Sequence, residues 1–175
     1  MKKLITALSL LLFLASCKKE VSELPPATET GANTFGAKVD GQFWVPQGFG
    51  IMPTNEILDA HFIPERNLYI NARNFASSPN ETEFEIYIKS VTAPGTYLLN
   101  MERSGISNSY AYFVKRNINP VNEWVTSPQY TGSVTITKID TVSRFVSGTF
   151  QFSAINLYND PQPLSVTDGR FDVKY

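Results

Sequence analysis

Residues 130–155, YTGSVTITKIDTVSRFVSGTFQFSAI, decide the fold. Tyr130, Gly132, Val134 and Ile136 share one face, with threonines on the other. Val146, Gly148, Phe150, Phe152 and Ala154 keep the same step between Arg144 and Ile155. Period-two alternation of apolar and polar residues marks a strand with one buried face. Asp140–Ser143 separates the two runs, so the segment reads as a long antiparallel hairpin with a four-residue loop.

The same period extends in both directions. After a loop at Asn156–Pro163, Leu164–Thr167 leads through a turn at Asp168-Gly169 to Phe171, Val173 and Tyr175. Upstream, Phe35, Ala37 and Val39 alternate with polar or small residues, and Asp40-Gly41 supplies a type I′ hairpin turn. Phe43 and Val45 are expected to resume the buried face, with Trp44 pointing the other way. Further strands are expected over Leu58–Phe62, Asn67–Asn74, Glu83–Lys89, Thr96–Leu99 and Ser109–Lys115. In Glu83–Lys89, Phe84, Ile86 and Ile88 face in, while Glu83, Glu85, Tyr87 and Lys89 form a solvated face. Residues 116–128, with Pro120, Trp124 and Pro128, read as a loop. No segment after the leader carries a helical period. About ten short strands with turns between them predict an all-β domain over 34–175, an antiparallel β-sandwich or, alternatively, a flattened lipocalin-like barrel.

The N-terminus carries different information. MKKLITALSLLLFLASC places Lys2 and Lys3 before an apolar run from Leu4 to Leu14, followed by Ala15, Ser16 and the only cysteine, Cys17. The run is shorter than the roughly 18 residues a spanning helix needs, so 1–16 reads as a lipoprotein signal peptide. Cleavage would leave Cys17 to carry diacylglycerol and hold the protein to a membrane. Residues 17–33 read as the lipidated cysteine and a flexible tether, polar and broken by Pro25-Pro26. The sixteen residues 18–33 span about 50 Å when stretched, at roughly 3.3 Å each. Lys18, where an aspartate would favour inner-membrane retention, directs the expectation to the outer membrane.

Without Lys2 and Lys3, 13 basic residues face 16 acidic ones, a mildly acidic balance with no basic stripe, which argues against nucleic-acid binding. With Cys17 acylated, no thiol is left for a disulfide, a Cys₄ zinc site or a nucleophile. Aromatics at 13% and charged residues at 18% suit an extracytoplasmic β domain better than a helical bundle.

Three stretches, TGANTFGAKVDGQFWVP (30–46), SGTFQF (147–152) and TDGRFDVKY (167–175), resemble a family of small Gram-negative bacterial lipoproteins of unknown function. The resemblance spans the domain and implies an all-β fold on an envelope anchor. It brings no activity and no catalytic residues.

Candidate sites are few. His61, the only histidine, has Asp59 two residues before it and Glu65 nearby. No G-x-S-x-G motif accompanies it, and three ligands without further support make a weak zinc site, so neither a catalytic nor a metal residue is assigned. Glu83 and Glu85 have the spacing of a glycosidase pair but alternate with core residues, as on any wet strand face. Asp168-Gly169 and Asp172 lack the acidic repeat of a calcium loop. The aromatic residues Trp44, Tyr87, Tyr110, Tyr112 and Trp124, with Tyr69, are the candidate ligand-binding set, since flat rings beside polar groups stack on sugars. For Trp44, covering an open end of the fold is the preferred reading. Asn80-Glu81-Thr82 is a sequon without expected consequence. Asp140-Thr141-Val142, at the hairpin tip, resembles the Asp-Thr-aliphatic O-glycosylation site of some lipoprotein-rich bacteria, which makes Thr141 the acceptor.

The function expected is that of an outer-membrane lipoprotein, anchored through Cys17, with a non-enzymatic binding or accessory structural role and no cofactor. Its expected partners are the membrane and a glycan or envelope protein. The alternatives are a carbohydrate-binding accessory protein or weak glycoside hydrolase, and a carrier of small apolar ligands if the sheets close into a barrel.

Overall fold

The computed structural model describes residues 21–48, 56–103, 107–158 and 162–175. Cys17 and residues 1–16, the expected signal peptide, lie outside them. Eleven strands follow in order: β1 (Thr34–Val39), β2 (Gln42–Trp44), β3 (Leu58–Ile63), β4 (Asn67–Asn74), β5 (Asn80–Ile88), β6 (Gly95–Leu99), β7 (Tyr110–Asn117), β8 (Asn119–Val125), β9 (Gly132–Asp140), β10 (Phe145–Asn156) and β11 (Leu164–Lys174). No α-helix occurs among the described residues.

The strands form one open antiparallel sheet folded into two facing layers. The first layer runs β2-β1-β11-β10-β9-β6 and the second β3-β4-β5-β7-β8. β10, twelve residues long, belongs to both. Most of it pairs with β9 and β11, while its last residues, Ile155 and Asn156, pair with Val125 and Trp124 of β8. The architecture is sandwich-like and not a closed barrel, because β2, β3 and β6 remain edges.

Aromatic rings fill the space between the layers. Phe84 stands at the centre, its ring centroid 4.6 Å from Trp44, 4.7 Å from Phe113 and 5.6 Å from Phe35, with Phe150 and Phe152 each at 6.1 Å. The tilted and edge-on arrangements are those that ring quadrupoles favour.

Four local readings are corrected. Trp44 is buried and Phe43 is exposed, the reverse of the expectation for β2. The turn explains it: Asp40 and Gly41 both take positive φ, a two-residue I′ turn pairing Val39 with Gln42 and Ala37 with Trp44. Trp44 therefore shares the buried face of Ala37, and its Nε1 donates to Thr82 Oγ1 at 2.8 Å. Residues 119–125, read as loop, form β8, with Pro120 next to a register shift where a missing N–H is tolerated. Asp168-Gly169 is no turn. β11 runs through it as a bulge, with Asp168 at φ 54° and its carboxylate 2.8 Å from Lys38. The fourth correction is the solvated face of β5, since Glu85 and Tyr87 are buried.

The segment ahead of β1 is fastened to the last strand. Asp172, fully buried on β11, accepts from Thr28 Oγ1 at 2.6 Å and Ser147 Oγ at 2.8 Å. The backbone N–H groups of Thr30, Gly31 and Ala32 also reach it, at 2.9–3.0 Å. Successive N–H groups curled around one carboxylate form an anion nest. Gly31 fits because its φ is +72°, a left-handed conformation, and a Cβ there would press on the Phe145 ring at 3.1 Å. Burial alone would raise the Asp172 pKa, but the hydrogen bonds from Thr28, Ala32, Thr30 and Ser147 outweigh it and hold the carboxyl well below the usual range. Further upstream, Pro25 packs against Gly36 where a Cβ would stand 2.7 Å from its ring. Residues 24–32, assigned from sequence to the tether, are thus part of the folded body.

Candidate functional site

The registers of the second layer arrange an ordered grid on its outer face. One row runs His61, Tyr69, Tyr87, Tyr110; the next Asp59, Asn71, Glu85, Tyr112, Val125; a third Arg73, Glu83, Val114, Glu123. Alternation sends the neighbours of these residues inward, so an outer face rich in tyrosine and charge is the complement of the apolar core. Tyr87, Tyr110, Tyr112, Val114 and Val125 pack into a second small apolar cluster, with Ile63 and Tyr69 against it.

Glu85 is the centre of this face. Arg103, from the β6–β7 connection, grips it with a two-pronged fork, Nε to Oε1 and Nη2 to Oε2, each at 3.0 Å. Tyr69 donates to Oε2 at 3.2 Å and Tyr110 donates to Oε1. The guanidinium also lies 4.7 Å from the Tyr112 ring centroid, within cation–π range. Glu83 accepts from Asn71 Nδ2 at 2.6 Å and from Arg116 Nη2 at 2.9 Å. Glu123 accepts from Tyr112 at 2.6 Å and Tyr158 at 3.0 Å.

Burial first, and then the charge and hydrogen bond of Glu85, push the Tyr69 and Tyr110 hydroxyls far above their ordinary value. Burial and Glu123 do the same to Tyr112. All three stay protonated as donors across the physiological range and serve poorly as proton acceptors. Burial acts to lower the Arg103 pKa, but its hydrogen bonds and charge interaction with Glu85 prevail and raise it. Asn71 turns its Nδ2 to Glu83 and the Phe84 carbonyl, which leaves its buried Oδ1 without a partner among the described residues.

Removing Arg103 strands a buried carboxylate. Arg103→Ala is expected to destabilise the domain by about 2 kcal/mol, below the usual buried-pair cost because the guanidinium is half exposed. Glu85→Gln in the same background should restore part of that loss, which a urea double-mutant cycle would read.

The sequence-predicted residues divide. Tyr87, Tyr110 and Tyr112 do share one face, as expected, but each is under 5% exposed. Trp44 and Trp124 lie in the interior at 7% and 5%. None of the five presents a ring to solvent: the tryptophans lie in the core between the layers, Arg103 covers the Tyr112 ring, and Tyr87 stacks on Tyr110. His61 sits exposed on the edge strand β3, its Nδ1 3.2 Å from Asp59 and its ring against Tyr69 at 5.1 Å. Among the described residues no three His, Cys, Asp or Glu side chains are grouped to hold a metal. Thr141 is exposed at the hairpin tip, where Asp140 Oδ1 accepts from the backbone of Val142 and Ser143. The sequence reading passes over Arg103 and Asn71, and weighs Asp172 only as part of a calcium loop. Their signal lies in partners distant along the chain.

No curated protein and no solved structure matches the chain. A family model described as a domain of unknown function, DUF6252, matches residues 32–172. That span runs from one partner of the Asp172 nest to Asp172 itself and takes in every strand but the end of β11. The chain belongs to the DUF6252 family.

Proposed function

We propose that this protein is a lipid-anchored lipoprotein of the outer membrane, held through Cys17, whose domain has a non-enzymatic binding or accessory structural role. The supporting observation is that the two carboxylates buried among the described residues, Glu85 and Asp172, are each saturated by fixed donors of the fold. A catalytic acid or base needs a lone pair or proton free to move toward substrate. Here those positions are spent on Arg103, the tyrosines and the nest. Anchorage is supported by Leu14-Ala15-Ser16-Cys17 behind a short apolar run.

The purified full-length lipoprotein is expected to show no turnover against panels of glycans, esters and peptides. Reproducible hydrolysis lost on Glu83→Gln or His61→Ala would overturn the non-enzymatic reading. We further propose Thr141 as an O-glycan acceptor. An intact-mass spectrum of native protein reads this directly, and a lipid increment without sugar removes it.

A further inference from the structure

The docking of residues 24–32 changes what an anchor at Cys17 would do. Read from sequence, the tether keeps the domain up to about 50 Å from the lipid. With Leu24 and Pro25 packed against Gly36 and the next residues clipped to Asp172, at most residues 18–23 are left as a leash to bridge Cys17 and the packed body. Six residues reach about 20 Å at most, roughly half the length of a twelve-residue strand such as β10. The end of the domain where the leash leaves must face the membrane.

That end carries an open groove of about 540 Å³, lined among others by Val21, Leu24, Pro25, Val45, Pro46 and Leu58. The leash emerges from the groove itself, since Val21 forms part of its wall. The groove sits beside the Asn74–Thr82 end of the second layer, where Asn74 Nδ2 holds the Val45 carbonyl and Trp44 reaches Thr82. Its surface is more apolar than polar, although Glu23 is among its lining residues. The chemistry suits contact with the boundary between headgroup and acyl chain more than charge pairing with anionic lipid.

We infer that this groove is the membrane-facing surface of the domain, seated on lipid by the six-residue leash. The inference rests on the proposed anchorage at Cys17 and commits to a lipid surface as the occupant.

The test uses the mature lipidated chain reconstituted in phosphatidylcholine vesicles, with its lipid increment checked by intact mass. Acylation of Cys17 leaves any introduced cysteine as the single thiol. An environment-sensitive fluorophore is placed at Pro46→Cys in the groove and at Thr92→Cys, exposed beyond the far end of β5. Ile57→Cys supplies a second groove position if Pro46→Cys fails to fold. The groove label should shift to the blue and be quenched by lipid-borne nitroxide severalfold more than the Thr92 label. Equal, water-like behaviour at both positions on a lipidated protein overturns the seating and leaves the anchorage standing. A mass without lipid overturns both.

Discussion

Asp172→Ala is expected to lower the folding free energy by about 4 kcal/mol, the range for leaving several donors unpaired in the interior. Three backbone N–H groups and two hydroxyls lose their common acceptor at once. The loss should appear in urea unfolding as a lower midpoint, and in limited proteolysis as new cleavage between residues 24 and 32. Asp172→Asn keeps one acceptor oxygen and should fall between. The pH dependence has a definite sign. The folded carboxyl titrates below its unfolded value of about 3.9, so its contribution is whole above roughly pH 5. It declines as pH falls through that value toward the folded one, and wild type and variant should converge in acid.

Phe84→Ala is expected to cost about 4 kcal/mol, the range for deleting a large ring from a packed core. Five rings stand within 6.1 Å of its centroid and come from both layers, so no single neighbour can move in to fill the space. Phe43→Ala, on the exposed side of β2, should change stability by less than about 1 kcal/mol. Comparing the two by urea denaturation separates core packing from exposed aromatic surface. Equal effects would show that the interior is not organised around Phe84.

The fold was legible because its strands are long and regular. The alternation from Tyr130 to Ile155 returns as β9 and β10, and Asn67–Asn74 is β4 to the residue. Errors arose where a local rule met a longer-range one. Continuing the alternation unbroken across the turn puts Trp44 outside; counting the two-residue turn puts 42 and 44 on the face of 39 and 37. β8 was hidden by Pro120 and its polar neighbours, since its partners β7 and β10 lie on either side of it in space. The site was half legible. Period two put Tyr69, Tyr87, Tyr110 and Tyr112 on one face, but Arg103 lies in an irregular connection with no period to extrapolate. Asp172 reads in sequence as an ordinary polar position near a chain end, and 140 or more residues separate it from the backbone it binds.

That separation bears on the order of assembly. β1 has β11 as one neighbour and the three-residue β2 as the other, and the nest closes on a residue of β11 as well. A chain delivered N-terminus first and already fastened to lipid would expose the β1 edge until β11 arrives. Loop closure across the whole domain is then the last event of folding instead of an early one. During that interval a chain anchored as proposed would present an unpaired strand beside a membrane, the circumstance in which a holding partner is most useful.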